Sequence, residues 1–561
     1  MQRGNQRFSP AALWGELRRR KVVRVFLGYG AVSLVLIEGA NNVFPVLGVP
    51  DAASRVLVWV LLAGLPIAIF LAWRFDVVPD RGTDAAKIDP EPVDLPTDRI
   101  AVLPFRDMSA GKTDEYFADG LTEDIIAKLS TLPAFNVVSR TSVMGFRDTQ
   151  ESAAAIGREL RAGSILEGSV RRASERVRVV AQLVDVNTDR SVWTETYDRD
   201  LEDLLALQSD IATSVARGLQ TSLTSEDEAR LSAGSDADPK AYDLYLRARH
   251  LWNTRSVEGL RESRALLERA RDLDPDYPAA HAALATSLAT TGLYNLQPPD
   301  ETMAAALAAA ERALDLDPKF VEALNARGLV ECIWKWEWDQ GGRTFEEAIA
   351  ASPSDVVARQ WYALNCLAPQ GRLTEAEAAL QVARSLDPLS PIVRASEAFL
   401  AYLRRDMAQA REILDAVLAD DAPPPIAYLF QGYIGEFQGR HEDARRAFRR
   451  ARAVGGATVE ALASLAANHA LCGNEVEAQE MLEELLVIAA RSYVSSGLIA
   501  RVHAALGDWG QARERWREAV TSRSADLIWV GVSPMYDFAR DRPVWREVVD
   551  AVGAYAPTDD P

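Results

Sequence analysis

One register constrains this chain more than any other feature. Ala376, Ala410, Ala444, Ala478 and Ala512 stand 34 residues apart, and so do Leu380, Leu414, Phe448, Leu482 and Trp516. Gly439, Gly473 and Gly507 keep the same step, as does Gly371, with Arg405 in the glycine position of the intervening unit. A period of this length means one supersecondary unit stacked many times, because a unit so small cannot bury its apolar face alone. The residue types fit a pair of helices. A small Ala lets the second helix approach its neighbour, the bulky residue four positions on fills the gap, and Gly permits the sharp turn between helices. Earlier units end on Pro275, Pro318, Pro353 and Pro388, where proline stops the second helix. The step from Pro275 to Pro318 is 43 residues, which places an insertion of about nine residues at Tyr294 to Glu301. The pattern predicts about eight repeats over residues 240–525, and then a capping helix, Asp537 to Val552, within a C-terminal segment 526–561.

Residues 425–456 carry the pattern most fully, with Tyr428, Gly432, Gly439, Ala444, Phe448 and Ala451 at its marked positions. In period and in these residues the array resembles the tetratricopeptide repeat. That resemblance implies an all-α solenoid whose concave groove binds peptides or partner proteins.

The N-terminal part reads differently. Residues 1–24 hold seven Lys or Arg against Glu16, in a chain whose formal net charge is −19, leaving about −25 on the remainder. Val56 to Trp73 is an uncharged run bounded by Arg55 and Arg74, and Val25 to Pro50 contains a single charge, Glu38. These runs predict two transmembrane helices at about 25–45 and 56–73, within residues 25–75, behind a basic cytoplasmic N-terminus at 1–24. With both helices spanning, the rest of the chain is cytoplasmic; with one, it lies outside. No small-residue cleavage site precedes Glu38, which disfavours a removable signal peptide. Residues 76–98, with four prolines and many charges, read as a linker.

From Arg99 the periodicity changes again. Ile100 to Phe105 reads as a buried strand, Tyr116 to Leu132 as a helix, Phe135 to Ser139 as a strand and Ala153 to Leu160 as a helix. Ser164 to Arg171 and Arg176 to Val186 form a hairpin, Ser191 to Tyr197 adds a strand, and Leu201 to Leu223 closes the unit as a helix. The expectation is a mixed sheet with helices packed on it, over residues 99–225. The segments IAVLPF (100–105), YFADGLTEDIIAKLS (116–130), LEGSVRRASERVRVVAQLVD (166–185), WTETYDRDL (193–201) and LQSDIA (207–212) resemble the TolB-like amino-terminal domain of bacterial membrane-linked tetratricopeptide proteins. ELRRRKVVRVFLGYG and VFPVLGVP resemble the membrane hairpin that precedes it. The resemblance implies a sensory or interaction module without a catalytic role, set in a multi-pass bacterial inner-membrane protein. Relatives attach the module to an adenylate cyclase or to a winged-helix DNA-binding domain, and neither output is recognisable in this sequence.

Candidate chemistry is sparse. Gly111, Lys112 and Thr113 imitate a phosphate-binding loop, but that motif needs glycine where Arg106 stands. His250, His281, His441, His469 and His503 lie in the repeats without metal-ligand spacing. Cys332, Cys366 and Cys472 are far apart, which excludes a disulfide framework and a CxxC site. Trp334, Trp336 and Trp338 form an aromatic cluster, read first as packing between repeats and second as a partner contact. The acidic balance disfavours nucleic acid. The expected function is a membrane-anchored, non-enzymatic scaffold or sensor. It has no catalytic, cofactor or metal residues, and its partners are proteins or peptides in the groove and the lipid bilayer. The alternative is a regulatory component of a cyclase-like or transcriptional signalling system whose output domain is absent from this sequence.

Overall fold

The computed structural model describes residues 95–555 apart from 110–113, 148, 150, 174–175, 201–202, 220–222, 233–236, 255, 421–422 and 456–457, together with Ser33, Trp59 and Leu61. The first part is an α/β domain in the order β1 (Arg99–Val102), β2 (Arg106–Asp107), α1 (Glu115–Ser130), β3 (Asn136–Val137), α2 (Arg140–Met144), α3 (Ala153–Leu160), β4 (Ser164–Ala173), β5 (Arg176–Asp185), β6 (Arg190–Asp200) and α4 (Leu204–Gly218). The sheet order is β3-β1-β4-β5-β6, with β2 pairing β4. β1 runs parallel to β3 and β4, whereas β4, β5 and β6 form an antiparallel meander. Val177, Val179, Ala181 and Leu183 of β5 are fully buried while Arg176 and Arg178 face solvent, the alternation of a sheet covered on one face.

After α5 (Ser225–Ser232) come eight helix pairs among the described residues: α6 (Pro239–Asn253) with α7 (Val257–Leu273), α8 (Pro278–Leu293) with α9 (Pro299–Leu316), α10 (Val321–Val330) with α11 (Trp338–Ala351), α12 (Val356–Trp361) with α13 (Leu373–Leu386), α14 (Pro391–Leu403) with α15 (Met407–Leu418), α16 (Pro425–Phe437) with α17 (His441–Val454), α18 (Thr458–Leu471) with α19 (Glu475–Ala489), and α20 (Ser496–Ala505) with α21 (Trp509–Thr521). The turn glycines Gly371, Gly439, Gly473 and Gly507 adopt φ between 70° and 81°, the left-handed conformation that only glycine reaches without a steric penalty. Arg405 takes the same conformation at φ 64°, at a cost of ~1–2 kcal/mol. A bidentate pair with Asp537, at 2.6 and 2.8 Å, holds the side chain there. Within a pair, packing is close: a Cβ on Gly432 would lie 2.1 Å from the Phe448 ring. Side-chain oxygens of Ser256, Asp355, Asp406 and Asp508 cap helix N-termini.

The transmembrane hairpin requires correction. No helix among the described residues is long and apolar enough to cross a membrane. α8 is apolar but has 16 residues, about 24 Å against a ~30 Å hydrocarbon layer. α9 has 18 residues, and carries Asp300, Glu301, Glu311, Arg312 and Asp315. The expected spans at 25–45 and 56–73 lie outside the described residues, save Ser33, Trp59 and Leu61. Over the described residues the fold is an α/β domain joined to a helical array, and no helix there supports the expected hairpin or the multi-pass inner-membrane location, its periplasmic variant and the lipid partner that were read from it.

The α/β domain is bound to the array through buried charge. Glu123 on α1 accepts hydrogen bonds from Arg249 Nε at 3.1 Å and Asn253 Nδ2 at 2.8 Å on α6 and also pairs with Arg140. Arg249 reaches on to Glu322 at 2.5 Å. Asp124 accepts from Tyr242 Oη at 2.7 Å and Gln208 Nε2 at 2.8 Å. Farther along, Asp387 accepts from Ser139 and Ser142, and Arg99 donates to the carbonyls of Ser385 and Leu386. Arg249→Ala leaves Glu123 and Glu322 without their shared cation, though Glu123 keeps Arg140 and Asn253, so chemical denaturation should show a loss of about 1–3 kcal/mol; an unchanged midpoint would mean that the two parts are not coupled there.

Candidate functional site

The surface expected to receive partners is the one built by the first helices of successive pairs. Two of these helices are buried all round: every residue from Ala280 to Thr290 of α8 and from Ala461 to Ala470 of α18 is buried, with the polar Thr286, Ser287, Thr290, Ser464 and Asn468 enclosed among alanines and leucines. A helix enclosed in this way needs cover on both flanks. One flank is covered by neighbouring helices. The C-terminal segment, which forms two 3₁₀ turns, Ala525–Trp529 and Pro534–Ala539, and the helix α22 (Pro543–Val552), packs against α8, α16, α20 and α21. The expected continuous capping helix from Asp537 is therefore shorter, and it folds back on the array.

This segment touches helices distributed along most of the array. Trp529 stands edge-on to Phe399 of α14 at 5.1 Å between ring centroids. Ser495 Oγ donates to Asp526, and Arg405 holds Asp537. The Tyr555 amide donates to the Pro369 carbonyl at 3.0 Å. Arg523 donates to the carbonyls of Trp334 and Lys335, and lies over the Trp336 ring at 5.3 Å. One segment can meet residues from 334 to 495 only if the array curves around it. Backbone approaches are equally close, since a Cβ on Gly531 would lie 1.9 Å from the Tyr555 carbonyl oxygen. Leu527, Ile528, Val530, Tyr536 and Trp545 are at most 3% exposed. At ~1.5–3 kcal/mol for each such side chain, the segment belongs to the fold.

Two charged groups are buried at this junction. Arg501, on α20, donates to Ser464 Oγ at 2.6 Å and lies over the Tyr433 ring, and the aromatic hydroxyls and carboxylates around it hold it firmly protonated against the cost of burial. Burial pushes the Asp526 carboxyl up to about 6, and Asp124 at the α/β interface is raised to the same value for the same reason.

The residues singled out in the sequence are scattered. Trp334, Trp336 and Trp338 are all half-buried against the core, so none is the free aromatic anchor considered above. A π-helical turn, Glu331–Lys335, and a left-handed Trp336 at φ 59° set their directions. His250 faces Asp119, His281 bonds the Pro275 carbonyl, His441 meets Asn468, His469 meets Asn474 and His503 faces Asp508. Among the described residues no group of three His, Cys, Asp or Glu is placed to hold a metal ion. Cys332 and Cys366 are buried and Cys472 is half-buried, all as free thiols. Gly111 to Thr113 lie outside the described residues. Sequence reasoning missed the covering of the inner face; the largely apolar sequence of α8 and the cluster Trp529, Tyr536 and Trp545 were the available signals.

An ionised Asp526 or Asp124 penalises the folded state, because its pKa there lies above the ~3.9 of the unfolded chain. Stability should therefore rise as pH falls through 6 towards 4, by on the order of a few kcal/mol for the two together. Thermal melts of the protein and of an Asp124→Asn/Asp526→Asn variant test this. The wild type should gain relative to the variant on acidification; parallel curves would show that neither carboxyl titrates as described.

Comparison with known proteins agrees with this division. Residues 97–214 match the second domain of HilA/YgeH-like transcriptional regulators, and residues 397–458 match the tetratricopeptide repeat. The chain is 38% identical over 242 residues to a putative adenylate cyclase 3 of Rhizobium meliloti (strain 1021), covering 42% of this chain and 41% of the relative. It is 26% identical over 293 residues to the transcriptional regulator HilA of Salmonella typhimurium (strain LT2), covering 51% and 50%. It thus spans about half the length of these relatives or less. Among solved structures, the APC/C hetero-tetramer Cut9–Hcn1 aligns at 16% identity and a TM-score of 0.38, covering 63% of this chain and 59% of that one. A tetratricopeptide repeat protein from Parabacteroides merdae aligns at 11% identity and a TM-score of 0.32, covering 48% and 99%. The 34-residue register, the glycine turns and the matching repeat together establish that the array is of the tetratricopeptide type.

Proposed function

We propose that this protein is a non-enzymatic scaffold that presents one composite surface, an α/β domain locked to a tetratricopeptide array, to protein partners. The observation that carries the reading is the largely buried Glu123–Arg249–Glu322 network between the two parts, which favours one platform over two tethered modules. The α/β domain is read as a TolB-like sensory or interaction module, on the ordered motifs IAVLPF through LQSDIA. Because the inner face is filled by residues of the same chain, partners dock on the outer helices, the loops and the α/β surface. Nucleic acid and cofactors have no part in this reading.

A second reading, a regulatory component of a cyclase-like or transcriptional signalling system, is favoured by the similarity to relatives named as a putative adenylate cyclase and as HilA. It agrees with the first on protein binding and differs on what the bound partner does.

Affinity capture with the full chain, compared with the Arg249→Ala variant, tests the scaffold reading. A reproducible set of proteins should be captured by the wild type and lost or reduced in the variant. Absence of any specific protein would contradict the proposal, and cyclic AMP formation by the purified chain would overturn the non-enzymatic assignment.

A further inference from the structure

With its inner face closed, the array meets partners from outside, and one concavity there has a distinct chemistry. A cavity of about 390 Å³ opens between α15, α16 and α17, walled by Arg411, Arg440, Arg446 and Arg450. The chain as a whole carries a net charge of −19, yet α17 alone holds five arginines. Four of them, all but Arg449, divide by helical position. Arg445 and Arg452 turn to the next pair, bonding Asn468 and Glu484, while Arg446 and Arg450, four residues apart, share the cavity face.

The cavity is under-compensated. Asp415 is taken by Arg411 at 3.4 Å, and Asp443 is shared by Arg440 and Arg446. Arg450 has no carboxylate partner among the described residues; its guanidinium lies over the Tyr428 ring at 5.4 Å. This ring contact uses none of the guanidinium N–H groups, which a carboxylate can engage in a bidentate pair. Leu414 and Ile434 supply an apolar floor beside these charges. Four guanidinium groups against two carboxylates leave two positive charges to be met from outside.

We propose that this cavity is a docking site for an acidic segment of a protein partner, whose carboxylates pair with Arg446 and Arg450 and whose adjacent apolar side chain sits on Leu414 and Ile434. The volume suits side chains of one extended segment rather than a folded surface. The proposal rests on the scaffold reading for the existence of protein partners, and names the chemistry by which one of them is recognised.

The test uses the full chain and a fluorescein-labelled peptide of alternating Glu pairs and Leu, read by fluorescence anisotropy. The wild type should bind saturably, and Arg446→Glu/Arg450→Glu should weaken binding about tenfold or more. A control with the same charge change at exposed sites away from the cavity, Arg343→Glu/Arg546→Glu, should stay within about twofold. Both variants must keep the wild-type melting temperature. No binding by the wild type, or equal weakening by the control, would overturn the proposal, as would an oligonucleotide of equal charge binding the same site more tightly than the peptide. Capture of the same proteins by wild type and Arg446→Glu/Arg450→Glu would refute the cavity and leave the scaffold standing. Peptide binding without any captured protein would do the reverse.

Discussion

The structure turns on a demand made by its own inner helices. α8 and α18 are enclosed on all sides, so whatever lies against them must cover apolar surface and satisfy the few polar groups, such as Ser464 and Asn468, caught within it. Residues 525–552 meet that demand with Leu527, Ile528, Trp529, Val530, Tyr536 and Trp545, and the polar groups caught at the junction are mostly paired: Asp526 with Ser495, Arg501 with Ser464, Arg405 with Asp537. Burial of this kind couples the end of the chain to helices more than 200 residues earlier. A tetratricopeptide array is stabilised mainly between neighbours; here a long-range crosspiece is added.

The second tie, between the α/β domain and the array, has a different character. It is built from Glu123, Arg249, Glu322, Asp124 and Asp387, charged groups that were removed from water and must satisfy one another. Such networks add less to stability than apolar contacts of equal area, but they tolerate few alternative geometries. On the outside of the array α17 concentrates positive charge in an acidic chain, which is where the proposed partner chemistry lies.

The repeat register was legible because Ala444 and Phe448, and their equivalents, are chosen by contacts inside one unit and between neighbours. Ala153–Leu160 and the hairpin about residues 172–175 were legible for the same reason, since local periodicity and turn chemistry fix them. What pairing alone cannot announce is a contact across 132 residues such as Arg405 with Asp537, or the return of Tyr555 to Pro369. The π-helical turns at Glu331–Lys335 and Tyr362–Leu367 were likewise hidden, because one extra residue in a turn leaves no periodic trace. The apolar runs near the N-terminus read as membrane spans on length and charge alone, and no described helix has that form.

Hydrogen–deuterium exchange of the full chain tests the central claim most directly, by comparing the amides of residues 525–552 with those of α14. If the segment is part of the fold, the two exchange with similar protection and lose it together as denaturant is added. Rapid exchange of 525–552 while α14 stays protected would contradict the account, and would return the inner face of the array to its partners.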